Sequence, residues 1–120
     1  SMPGYWLFKS EPSAFGIADL AKSPRRTAPW DGVRNYQARN YLRDGVQVGD
    51  LVLFYHSREA PLGIFGTMRV VRGGYPDPSQ FDPRSKYFDA KSPRETPRWV
   101  MVDVRLIQAF AAPVTRDQLQ

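Results

Sequence analysis

Apolar positions fall in short blocks whose spacing changes along the chain. Residues 5–9, Tyr-Trp-Leu-Phe-Lys, are dense in aromatics and predict a buried strand. Ser10-Glu11-Pro12 ends it, because proline cannot donate to a ladder. Residues 17–21 read as a short helix, with Phe15 and Leu20 anchoring it inward. Residues 23–29 carry Pro, Ser and Thr and read as a loop. Over 30–45 the period lengthens. After an Asp31-Gly32 turn, Ala38, Tyr41 and Leu42 fall at i, i+3 and i+4, one helical stripe, and Gly45 stands where a helix takes a left-handed C-terminal residue. Residues 51–55 form a continuous β-prone run, read as a strand buried on both faces.

The second half of the chain alternates more cleanly. In 63–72, Ile64, Gly66, Met68 and Val70 share one face, and Phe65, Thr67, Arg69 and Val71 share the other. Gly63 and Gly66 predict a bulge or a close backbone approach, and Gly73-Gly74 is expected to break the strand. In 98–107, Val100, Val102, Val104 and Leu106 make one face and Trp99, Met101, Asp103, Arg105 and Ile107 the other, with Asp103 and Arg105 placed to pair. Residues 109–113 read as a connection and 115–118 as the capped start of a helix. Residues 75–97 hold five prolines but also Tyr75, Phe81, Tyr87 and Phe88, which predicts an ordered loop. Together these elements predict an α+β fold, a small, mostly antiparallel β-barrel with peripheral short helices.

At 120 residues the chain predicts a single domain over 1–120, with Ser1 before Met2 read as a cloning remnant. Its end inside a helix start is read as a domain lacking a C-terminal part. The 42% hydrophobic and 13% aromatic content supports a packed core rather than disorder. No run approaches the roughly 18 apolar residues of a membrane span, and no signal peptide is visible. With no cysteine and one histidine, disulfides and thiolate metal sites are excluded and an ordinary zinc site is unsupported. The expectation is an intracellular protein without metal or cofactor, cytoplasmic if bacterial and nuclear if eukaryotic.

A net charge of +5 points to an anionic partner, nucleic acid first. The charge is spread along the chain, so folding must assemble any basic patch. Residues 30–45 bring Trp30, Asn35 and the guanidiniums of Arg34, Arg39 and Arg43 together. Aromatics stack on bases, amides bond base edges and guanidiniums bind phosphate. The competing reading is a core tryptophan beside a solvated basic face. Lys9, Ser10 and Glu11 at a strand end make a polar corner, or a surface turn with a local ion pair. Arg25 and Arg26 either meet phosphate or are solvated. His56 has no catalytic partner nearby in sequence and reads as a hydrogen-bonded structural or binding residue.

Several blocks, in order over nearly the whole chain, carry a family resemblance: Tyr5-Trp6-Leu7-Phe8-Lys9-Ser10-Glu11-Pro12, the run from Trp30-Asp31-Gly32-Val33-Arg34-Asn35 to Asn40, Gly49-Asp50 through Tyr55-His56-Ser57, Tyr75-Pro76-Asp77-Pro78, and Arg98-Trp99-Val100-Met101-Val102-Asp103-Val104. The chain resembles the EVE domain family, a PUA-like module related at fold level to YTH and ASCH domains. That resemblance implies a PUA-like barrel and a monomeric, non-catalytic nucleic-acid-binding module holding a flipped modified base, such as modified cytosine. By analogy with the aromatic cage of YTH domains, it implies a pocket of Lys9, Ser10, Trp30, Asn35, Tyr55 and Ser57. Arg25, Arg26, Arg34 and Arg39 would hold the flanking phosphates. Family members usually continue with a helix and a strand that this chain lacks. Two alternatives stand beside the reader: a hydrolase of modified nucleosides using Lys9 and Glu11, as in some related PUA-like folds, and a protein-interaction module.

Overall fold

The structure, a computed structural model, describes residues 4–119. Its alternating blocks become five strands: β1 (Tyr5–Ser10), β2 (Thr27–Pro29), β3 (Leu51–His56), β4 (Gly63–Pro76) and β5 (Val100–Val114). They form one sheet in the order β1-β3-β4-β5-β2. β1 and β3 run parallel, with Tyr5 opposite Leu51 and Ser10 opposite His56. The other three pairings are antiparallel. Three short helices, α1 (Pro12–Phe15), α2 (Ile17–Lys22) and α3 (Tyr36–Asn40), lie around the sheet. This is a small α+β fold with a mostly antiparallel sheet. Among the described residues β1 and β2 are its two edges, so the sheet is open where a closed barrel was expected. β2 stops after three residues at Pro29, which has no N–H to extend a ladder.

The inward faces build one core. Val52 and Phe54 of β3, Met68 and Val70 of β4, and Val102, Val104 and Leu106 of β5 are buried together with Phe8, Leu20, Trp30 and Leu42. The predicted face of 100–106 is therefore the core face, and so is that of 64–70. Gly66 lies at a register shift between β4 and β5, and a Cβ there would stand 2.4 Å from the Gln108 carbonyl oxygen. The expected close approach is real, and only glycine permits it.

Other expectations change once neighbours are in place. β1 is not fully buried. As an edge strand it hides Phe8 and leaves Tyr5 77% exposed. β3 buries Val52, Phe54 and His56, while Leu51, Leu53 and Tyr55 are half-buried. Gly73-Gly74 does not end β4, because Tyr75 and Pro76 still pair with Met101 and Val100. The supposed connection at 109–113 is the far half of β5, with Ala109 opposite Gly66 and Val114 opposite Ile64. Asp103 accepts the Tyr75 hydroxyl rather than pairing with Arg105. Burial first, and Asp103 second, push the Tyr75 pKa up to about 12. Gly45 has no positive φ. α3 instead runs into a π-helical turn, Tyr41–Gly45, and a Cβ at Gly45 would lie 3.0 Å from the Trp6 ring. The reciprocal cap predicted near the C-terminus is present: Thr115 N–H donates to Gln118 Oε1 at 2.7 Å, and Gln118 N–H to Thr115 Oγ1 at 3.4 Å.

The 77–99 segment is ordered by buried polar groups. Gln80 donates to the carbonyls of Asp77 and Trp99 at 2.6 and 2.8 Å and accepts from the Ser92 hydroxyl and the Trp99 N–H. Trp99 Nε1 donates to Asp89 Oδ2 at 2.8 Å. Phe81 and Tyr87 are half-buried as expected, whereas Phe88 is exposed.

Candidate functional site

Parallel pairing carries the C-terminal ends of β1 and β3 to the same side of the sheet. Ser57 N–H donates to the Ser10 carbonyl at 2.9 Å and locks the two strand exits together. A cleft of about 1150 Å³ opens there. One wall is the β1 exit: Lys9, Ser10 and Glu11, with Phe15 behind. The opposite wall is the segment from Pro29 to Asn35, which leaves β2 and leads into α3. Ser57 and Arg58 complete the lining beside Glu11, and Lys86 and Tyr87 of the long loop complete it beside Gly32. The volume exceeds the ~300–1,000 Å³ of ordinary small-molecule pockets. It has room for more than a single flat ring.

Five of the six expected pocket residues line this cleft: Lys9, Ser10, Trp30, Asn35 and Ser57. Tyr55 does not; its ring lies beside the Lys9 ammonium, 5.9 Å from Nζ, on the outward face of β3. Trp30 needs correction as a freely stacking aromatic. It is only 9% exposed and packs against Phe8, Phe15 and Phe54 at ring separations of 5.3, 6.1 and 5.2 Å. Its indole is a core element that shows the cleft a small part of its surface. Asn35 caps α3, its Oδ1 accepting Ala38 N–H at 2.9 Å, which leaves the side-chain NH₂ to donate.

The four arginines assigned to phosphate divide. Arg34 lines the cleft, but its guanidinium is already saturated. It donates twice to the Tyr87 carbonyl, at 3.0 and 2.8 Å, to the Val33 carbonyl at 2.8 Å, to Ser79 Oγ at 3.0 Å and to Asp77 Oδ2 at 3.2 Å. Arg34 is an internal clamp rather than a phosphate ligand. Arg39 bonds the Arg98 carbonyl at 2.6 Å and Asn40 at 2.8 Å, outside the cleft. Arg25 and Arg26 are exposed at a turn away from the cleft lining. The cations that do line it include two that sequence reasoning missed, Arg58 and Lys86. Arg58 stands 3.7 Å from Glu11, an exposed pair. Glu11 thus faces Arg58, and no ion pair joins it to Lys9 among the described residues.

Two acids at the cleft behave differently, one behind its wall and one in its lining. Asp77 is fully buried and accepts from Gly32 N–H at 2.8 Å, from Ser79 N–H and hydroxyl at 2.8 and 2.6 Å, and from Arg34. Burial pulls its pKa up, but these donors more than reverse that and hold it below the usual carboxylate range. Asp31 lines the cleft itself. Burial, and then the charge of Asp77, raise its pKa, while its own backbone N–H, and then Arg34 and Lys86 through space, pull it down. Gly32 between them has φ +79, and a Cβ there would come within 2.6 Å of the Tyr87 ring. His56 is buried and turned away, its Nε2 accepting Ile17 N–H at 3.1 Å with its ring stacked on Phe65 at 4.0 Å. Of the structural and binding roles its sequence context left open, the hydrogen bond and burial fit the structural one, and burial lowers its pKa. No group of three or more His, Asp or Glu among the described residues is arranged to hold a metal ion. No helix there is long and apolar enough to cross a membrane.

Comparison with known proteins places this geometry. A family model for the EVE domain matches residues 4–120. Thymocyte nuclear protein 1 of Mus musculus is 40% identical over 129 residues, covering 100% of this chain and 57% of its own length. The chain therefore spans little more than half of the curated relatives it matches. A structure of a hypothetical protein from Leishmania major superposes with a TM-score of 0.92 at 47% identity, over 98% of this chain and 73% of that one. A crystal structure of human THYN1 protein in complex with 5-methylcytosine-containing DNA superposes with a TM-score of 0.90 at 40% identity, over 96% of this chain and 72% of that one.

Proposed function

Because the chain belongs to the EVE domain family, we propose that it is a non-catalytic nucleic-acid-binding module that takes a modified base, such as modified cytosine, into the cleft beside Trp30. The observation that carries this reading is the likeness, over nearly the whole chain, to a protein crystallised with 5-methylcytosine DNA. The cleft supports it with an aromatic and hydroxyl-rich interior and the cations Lys9, Arg58 and Lys86. In this reading Ser10, Ser57 and the Asn35 amide meet polar edges of the base, Tyr87 and the small exposed part of Trp30 border it, and Lys86 and Arg58 take the adjoining phosphates. Stacking contributes about 1–3 kcal/mol per base and flipping costs a few kcal/mol, so phosphate contacts must supply much of the affinity.

A catalytic role has less support. His56 is committed to the Ile17 N–H and does not serve Ser10 or Ser57. Glu11 pairs with Arg58, and no ion pair joins it to Lys9 among the described residues. The test is a titration of single- and double-stranded oligonucleotides with cytosine or 5-methylcytosine at one position, at two salt concentrations. Salt-sensitive binding that prefers the modified base is the expected result. Equal binding to both bases would remove the modified-base reading, and product formed from modified nucleosides would favour the hydrolase instead.

A further inference from the structure

We propose that Asp31 is the residue that tells cytosine from thymine: its carboxylate accepts the exocyclic amine of cytosine or 5-methylcytosine and repels the carbonyl oxygen that thymine carries at the same ring position. The inference rests on the base-pocket reading above and extends it to specificity. 5-Methylcytosine and thymine share ring shape and the 5-methyl group, so neither stacking nor an apolar wall separates them. They differ at ring positions 3 and 4: cytosine presents an acceptor nitrogen and an amine donor, thymine an N–H donor and a carbonyl acceptor. At position 4 a group that only accepts distinguishes the two, and a carboxylate accepting from the cytosine amine is such a contact.

Among the side chains of the cleft, few are candidates for that task. The hydroxyls of Ser10 and Ser57 rotate and either donate or accept, so they satisfy both bases. Asn35 has its oxygen on Ala38 N–H and offers a donor, suited to the ring carbonyl that both pyrimidines possess. Glu11 faces Arg58. Asp31 remains, and no ion pair among the described residues engages its carboxylate.

Its position is also held. On one side Trp30 N–H donates to the Val102 carbonyl at 2.7 Å; on the other Gly32 N–H donates to Asp77 at 2.8 Å, with the Tyr87 ring against the glycine. Asp31 is thus clamped through both neighbours. A negative charge outside any ion pair, in a cleft lined with cations, weakens phosphate binding, a cost that base selection explains.

The experiment measures Kd for three oligonucleotides differing at one position, 5-methylcytosine, cytosine or thymine, with the unaltered protein, Asp31→Ala and Asp31→Asn. The unaltered protein is expected to bind 5-methylcytosine roughly tenfold or more tighter than thymine. Asp31→Ala should collapse that ratio and bind the thymine oligonucleotide more tightly than the unaltered protein does, because a repulsive charge is gone. A merely structural role would weaken all three alike. Asp31→Asn, nearly isosteric, should also flatten the ratio and carries the test if the alanine variant does not fold. A ratio kept in folded Asp31→Asn or Asp31→Ala overturns the role of Asp31 and leaves the pocket reading standing. If the unaltered protein shows no preference among the three, the pocket reading fails and this inference with it.

Discussion

Arg34 and Asp77 make the cleft wall rigid by neutralising each other inside it. Asp77 is fully buried, so removing its cation leaves an unpaired charge, whose cost is about 3 kcal/mol. Arg34→Met should lower unfolding free energy by that order in urea titration, and Arg34→Lys should recover only part, because an ammonium cannot fork across Tyr87 and Ser79. Trp30→Ala is expected to cost about 3–5 kcal/mol, so it cannot serve as a clean binding variant. His56 supplies a pH prediction. Its folded pKa lies below the unfolded 6.5, so the unfolded chain binds more protons as pH falls. Its stability contribution is complete above pH 6.5 and declines as pH drops below that value towards the folded pKa. Melting temperature followed from pH 7.5 to 5.5 should fall more steeply for the unaltered protein than for His56→Gln. At this scale the sequence shows chemistry but not commitment. The guanidinium of Arg34 is visible at once; that it is used up is not, since all its partners but the Val33 carbonyl lie 43 to 53 residues away. Arg58, Lys86 and Asp31 passed unnoticed for the same reason, as cleft residues joined only by folding.

β4 and β5 show where element reading works and where it stops. Alternation marks their core faces because one side of each strand meets the same apolar layer. It fails at Gly73-Gly74 and along 109–113, where pairing with a partner strand outweighs weak local propensity. The α3 region was legible as helical, yet Tyr41 is half exposed and opens a π-helical turn that ends at Gly45 against the Trp6 ring. Gly66→Ala should destabilise by roughly 1–3 kcal/mol, because the Gln108 carbonyl must move; thermal melting checks it. Gln80→Ala should release the 77–99 segment, and limited proteolysis should then cut within it before the sheet unfolds, since four hydrogen bonds end on that one side chain.

The whole molecule carries +5, and the cleft gathers part of it in Lys9, Arg58 and Lys86. Each phosphate contact adds close to one unit to the slope of log K against log salt. Lys86→Ala should reduce that slope by about one and weaken binding alike for every sequence. The sheet order has a separate bearing on synthesis. β1 finds its parallel partner 46 residues later, and Thr27 of β2 lies opposite Arg105. At about 5–20 residues per second, a ribosome leaves β1 without its partner for roughly 2–9 s, longer still for β2. Through that interval Trp6 and Phe8 are bare on the nascent chain, so chaperone capture should concentrate on the first thirty or so residues and end when β3 emerges.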